Sequence, residues 1–215
     1  MLRALYRASS CLAAIACLAL VGCGESPEPQ AEITSESSGE ETSEDETETG
    51  VDPTQPMTER PQFGNPCEET PVPTGDYIGK VIPNLVGTDQ WGETFNLYEE
   101  ACDRTVVILR AGFDCGKCNE HAPVYGEYYE LYAEEHDFLV VTMLHDSTRE
   151  IGVEDLNSWA NTHGLTHPVI LDNDWELSNL AWPTSDGRPL SKLLGPGAEV
   201  AELAAPVEDM PTLFD

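Results

Sequence analysis

Thr105-Val-Val-Ile-Leu-Arg-Ala-Gly-Phe-Asp-Cys-Gly-Lys-Cys118 decides the fold. Its first seven residues form a short apolar, β-branched run that ends at a glycine, the pattern of a buried strand. Beyond Cys118, residues 117 to about 136 place Val124, Tyr128 and Leu131 at helical spacing, which predicts a helix with those residues on its buried face. Phe138-Leu-Val-Val-Thr-Met-Leu144 reads as a second buried strand. Val153, Leu156, Trp159 and Ala160 then mark an amphipathic helix that stops at Gly164, a position suited to a left-handed cap. Strand, helix, strand, helix at this spacing predicts a parallel βαβ unit with a right-handed crossover. Further on, residues 190–194 and 199–203 form two short strands about Gly195-Pro-Gly197, a hairpin. The sum is an α/β domain with a mixed sheet and helices on both faces.

The motif Cys115-Gly-Lys-Cys118 falls between the first strand and its helix. There the unpaired backbone N–H groups and the helix dipole stabilise an anion. Cys115 is the exposed member, its thiol pulled below its usual range by the helix terminus and by Lys117, while Asp114 opposes ionisation. Cys118, one turn deeper, is positioned to resolve a mixed disulfide. A structural zinc site needs a second ligand pair at close spacing, and the sequence offers none.

Residues 82 to about 200 resemble the thioredoxin superfamily, and within it the TlpA-like, redoxin-type branch of exported thiol-disulfide oxidoreductases. Leu85-Val-Gly-Thr-Asp-Gln-Trp-Gly-Glu-Thr-Phe-Asn-Leu97 resembles that branch's opening hairpin. Pro123 stands where the family kinks its first long helix, and Leu165-Thr-His-Pro-Val-Ile-Leu-Asp172 resembles the segment between helices. Pro189-Leu-Ser-Lys-Leu-Leu-Gly-Pro-Gly-Ala-Glu-Val200 keeps the spacing of the segment that opens on a cis-proline beside the redox pair. The resemblance therefore implies a thioredoxin-like fold with an N-terminal hairpin extension. It gives Cys115 the role of nucleophile, Cys118 that of resolving thiol, Lys117 thiolate support, and Pro189 the cis-proline role, with Pro183 as competitor. No cofactor is implied, because the dithiol carries both electrons. The family's tryptophan before the first cysteine is replaced by Asp114, and Pro206 and Pro211 make a full last helix doubtful. The related Sco-type proteins supply an alternative, copper delivery, with the two thiolates joined by His121, His145, His163 or His167. A passive thioredoxin-fold binding module is the third reading.

The chain as a whole is strongly acidic, with 40 Asp and Glu against 10 Lys and Arg in 215 residues and a formal net charge of −30. Nucleic acid is a poor partner for a chain without clustered cations. Residues 1–22 combine Arg3 and Arg7 with an apolar run too short to span a bilayer, the pattern of an export signal. The run ends in Leu20-Val-Gly-Cys23, which resembles a bacterial lipobox with Cys23 as the lipidated residue. Residues 23–60 then form an acidic linker rich in Glu, Ser, Thr and Pro, with residues 61–215 as the folded domain. These features predict a monomer, lipid-anchored at the periplasmic face of the cell envelope or in the outer membrane, whose partners are exported proteins carrying thiols or disulfides. In an exported protein the two leftover cysteines, Cys67 and Cys102, are expected to pair as a structural staple. The alternative is a second redox pair relaying electrons to Cys115.

Overall fold

The computed structural model describes residues 59–185, 187–206 and 212, all within the unit Glu48–Asp215; the export signal, Cys23 and the linker up to residue 58 lie outside the described residues. A short antiparallel hairpin comes first, β1 (Val86–Thr88) and β2 (Thr94–Asn96), followed by the single turn α1 (Leu97–Glu100). Asn96 caps that turn by accepting the N–H groups of Tyr98 and Glu99. The central run follows as β3 (Thr105–Gly112), α2 (Gly116–Tyr132), β4 (Phe138–His145), α3 (Val153–His163), β5 (Val169–Leu171) and α4 (Glu176–Ala181). Strands β6 (Leu190–Gly195) and β7 (Glu199–Glu202) close the domain. The sheet order is β5-β4-β3-β6-β7, with β3, β4 and β5 parallel and the last two strands antiparallel.

Both long strands are mostly apolar because both sheet faces are covered, with Arg110, Thr142 and His145 as buried polar exceptions. On one face Val107, Leu109 and Val140 pack with Tyr125 of α2, and Ala111, Leu144 and Val169 pack with Cys118, Leu156 and Trp159 of α2 and α3. On the other, Val106, Ile108, Leu139, Val141 and Met143 meet the hairpin through Phe95, and α4 through Leu177 and Ala181. Helix α3 ends at Gly164 in the left-handed region, φ 64°, where a glycine carries no side-chain penalty.

The buried face of α2 differs from the expectation. Cys118, Ala122, Tyr125 and Gly126 are buried, whereas Leu131 is 58% exposed and Val124 and Tyr128 only half-buried. Small residues let this helix approach closely: a Cβ on Gly126 would stand 2.9 Å from Leu165 Cδ2. Counting large apolar side chains therefore selects the wrong stripe. The spacing also gave no sign of α4, which is six residues long and enters through Asp174 and Trp175, both in the left-handed region.

Ahead of the hairpin, an extended strap runs over the second face. Phe63 is buried against Trp91 and Phe95. Arg60 pairs with Asp89 and with Glu100, each at 2.5 Å. Cys67 is bonded to Cys102 with Cα atoms 5.0 Å apart, and backbone hydrogen bonds from Cys67 N to Tyr98 O and from Cys102 N to Asn65 O run alongside.

Candidate active site

Cys115 is the N-cap of α2, and its Sγ accepts the N–H of Cys118 at 3.2 Å. An N-cap side chain normally accepts this bond through oxygen; here sulfur takes it, at the positive end of a 17-residue helix. The two cysteines are joined as a disulfide, Cα atoms 5.2 Å apart, so the site is in its oxidised form. Cys115 is half-buried, while Cys118 is 3% exposed among Ala111, Ala122, Leu156 and Trp159. Beneath the pair, Asn119 fixes the floor. Its side-chain oxygen accepts from Trp159 Nε1 at 2.6 Å and its amide donates to Phe113 O at 3.3 Å.

The Arg188–Pro189 peptide bond is cis, and Pro183 has no cis bond. Pro189 lines one small cavity with Cys118, His121 and Trp159, which places it beside the redox pair. It also borders a larger groove of about 330 Å³ with Lys117, His121, Tyr125, Leu190 and Pro206. Lys117 is exposed at the rim of this groove.

Asp114 does not act as a lone carboxylate. Arg188 Nη1 donates to its Oδ1 at 2.8 Å, and Ser147 Oγ donates to its Oδ2 at 2.5 Å. The Ser147 hydroxyl first, and then the Arg188 charge, hold its carboxyl below the usual carboxylate range. The same Arg188 nitrogen lies 2.8 Å from His145 Nε2, which accepts this bond as a neutral imidazole. Burial, reinforced by Arg188 and Arg110, lowers the His145 pKa to about 4. Trp175 packs against the His145 ring, with the Arg110 guanidinium 3.8 Å from its centroid and that of Arg188 at 5.6 Å. Gly112 leaves room for this cluster, since a Cβ there would stand 2.5 Å from Arg188 Nη1.

Sequence reasoning missed Arg188, Ser147 and Trp175 as site residues. The parallel register, which sets Gly112 opposite His145, brings the β4 end and its loop to the motif, and β6 brings Arg188. One signal was available for Arg188: the residue before a cis-proline that flanks a redox pair must itself border the pair.

The remaining candidates separate. His167 is wholly buried, bonded to Thr142 Oγ1 at 3.1 Å, with its pKa lowered to about 3 by burial. His163 lies 3.3 Å from Asn119 Oδ1 and is also lowered by burial. Among the described residues no three His, Cys, Asp or Glu side chains form a group able to hold a metal ion, and His121 with the two cysteines is no exception. The relay alternative for Cys67 and Cys102 fails on distance. Cys102 precedes β3 and Cys115 follows it, and that strand's 8 residues separate the two pairs by roughly 26 Å.

The comparisons place the fold. No family model matches the chain, and no curated protein matches it. Solved structures do. A thioredoxin domain of a thiol-disulfide oxidoreductase from Bacteroides vulgatus superposes with a TM-score of 0.54 at 16% identity, covering 64% of this chain and 95% of that one. A thiol:disulfide interchange protein from Bacteroides sp. gives 0.55 at 16% identity, over 64% and 88% of the two chains. A thiol:disulfide interchange protein DsbE from Chlorobium tepidum gives 0.53 at 18% identity, over 64% and 93%. The protein has the thioredoxin fold: a mixed five-stranded sheet with helices on both faces, its Cys-x-x-Cys pair at the first long helix and a cis-proline opposite.

Proposed function

We propose that this chain is a thiol-disulfide oxidoreductase of the bacterial cell envelope, anchored through lipid on Cys23, that exchanges disulfides with exported proteins. One observation carries the reading: a bonded Cys115–Cys118 pair capped on the helix N-terminus, with the outer sulfur half-open and the inner one buried beside cis-Pro189. The three solved structures with this fold bear names of the same chemistry. Export and anchoring rest on the signal-like residues 1–22, on Leu20-Val-Gly-Cys23 and on the acidic linker.

In the oxidised form a partner thiolate attacks Cys115 Sγ, the accessible sulfur. The Cys115–Cys118 bond breaks, Cys118 leaves as a thiolate, and a mixed disulfide joins Cys115 to the partner. A second partner thiolate attacks the partner's sulfur in that bond, releasing the partner disulfide and leaving both cysteines reduced. In reverse, the Cys115 thiolate attacks a partner disulfide and Cys118 resolves the intermediate. The Cys118 N–H and the helix dipole stabilise negative charge on Cys115 Sγ in either direction. Pairing Asp114 with Arg188 keeps the neighbouring carboxylate from opposing that charge in full.

The test is trapping. Cys118→Ser cannot resolve, so a covalent adduct between Cys115 and a disulfide-bearing protein accumulates on a non-reducing gel. Cys115→Ser forms none. Equal adducts from both variants, or none from either, overturn the reading.

A further inference from the structure

The chain carries 40 acidic and 10 basic side chains, yet among the described residues no carboxylate lines the groove that opens beside the redox pair. Lys117, Arg188 and His121 line it, together with the apolar surfaces of Tyr125, Pro189 and Leu190. The two cations are not equivalent. Arg188 spends its guanidinium on Asp114 and His145, with a long contact to Ser147. Lys117 is exposed at the rim, two residues past Cys115, and no Asp or Glu stands within ion-pair distance of it among the described residues. An exposed ammonium at the edge of a groove that no described carboxylate lines is placed to meet an anion brought by whatever enters.

We propose that Lys117 is a specificity residue, selecting partner segments in which an Asp or Glu flanks the reacting cysteine. This rests on the disulfide-exchange reading above and names the substrate class of that same site. The apolar wall formed by Pro189, Leu190 and Tyr125 takes the partner's backbone and cysteine, and Lys117 takes the flanking carboxylate. The acidity of the rest of the chain does not cancel this preference, because exposed charges are screened beyond about 8 Å at physiological ionic strength. Local charge complementarity at a groove acts on partner choice and on association rate.

The reaction read in the test is balanced. Cys115 thiolate attacks a peptide disulfide, one peptide thiolate leaves, Cys118 thiolate resolves the mixed disulfide, and the second peptide thiolate leaves. The protein dithiol loses two electrons and the peptide disulfide gains them. The mature full chain, reduced and freed of reductant, is mixed with three disulfide peptides of one sequence whose cysteines are flanked by Glu, Ala or Lys. Hydroxyethyl disulfide is the uncharged control. At physiological ionic strength the Glu peptide reacts about two- to fivefold faster than the Lys peptide, the range exposed charge pairs support, and the ratio shrinks as salt rises toward about 1 M. Lys117→Glu inverts the ratio, Lys117→Ala abolishes it, and Lys117→Arg restores it. A ratio of rates cancels any change in the intrinsic reactivity of Cys115, so it is blind to a role for Lys117 in thiolate support alone. Equal rates for the three peptides, or a ratio that survives Lys117→Glu, overturn the proposal while leaving disulfide exchange intact. Failure to reduce every peptide and hydroxyethyl disulfide as well overturns the exchange reading itself, and this proposal with it.

Discussion

Removing the Cys67–Cys102 bond, by Cys67→Ala with Cys102→Ala, is expected to loosen the strap without touching the redox pair. The bond closes a loop across a sequence separation of 35. In the chain-entropy account a loop of that size destabilises the unfolded state by about 4 kcal/mol. For a domain of this size each kcal/mol moves the melting temperature by about 2–4 °C, so the double variant should melt on the order of 10 °C lower. The strap has other ties, namely Phe63 in the core and the Arg60 pairs with Asp89 and Glu100, so it should stay docked at room temperature. Calorimetry of the oxidised wild type and double variant measures the shift. A companion assay treats wild type with mild reductant and alkylates at intervals. Cys115 and Cys118, at the α2 N-terminus that stabilises a thiolate on Cys115, should label well before Cys67 and Cys102, which the strap's backbone hydrogen bonds hold together. A melting shift under about 2 °C, or equal labelling of all four thiols, refutes the division into one structural and one reactive bond.

Three further outcomes are expected. Arg188→Met leaves the Asp114 carboxylate without its ion-pair partner beside Cys115; labelling of the reduced Cys115 thiol by iodoacetamide should then need higher pH, and Asp114→Asn in the same chain should reverse it. The His145 and His167 pKa values, lowered to about 4 and about 3, mean that the unfolded chain takes up protons near its ordinary histidine range while the native chain does not. The stability from keeping these rings neutral is complete above about pH 6.5 and is lost as pH falls through that value toward the folded values. Urea midpoints should therefore show a loss on the order of 2 kcal/mol per histidine between pH 7.5 and pH 5, and a flat profile contradicts the burial argument. Intact-mass analysis of membrane-extracted protein should find a chain beginning at acylated Cys23; recovery of only an unacylated, soluble form sinks the anchor.

The fold was legible where sequence pattern and burial share one cause. Residues 106–109 and 138–141 are continuous apolar runs because helices or the hairpin cover both faces of the sheet. Gly164 and the turn about Gly195-Pro-Gly197 announced themselves by backbone chemistry. The stripe on α2 was misplaced because close packing there depends on Cys118, Ala122 and Gly126, whose small side chains carry little hydrophobic signal. Helix α4 is too short for periodicity to register. The cysteine motif was plain from spacing alone. Its electrostatic setting was not, because Asp114, His145 with Ser147, and Arg188 come from three separate stretches that only the strand register and the cis-Pro189 loop draw together.

The central claim is that Cys115 and Cys118 form one reversible two-electron couple. Titrating the mature chain in glutathione buffers of stepped potential, with the alkylated fraction read by mass, measures it directly. The account predicts a single Nernstian transition in which both thiols of the pair appear together, with slope for two electrons, absent in Cys115→Ser. A pair that stays oxidised across the buffer range, thiols that appear at separate potentials, or a transition that persists in Cys115→Ser would contradict it.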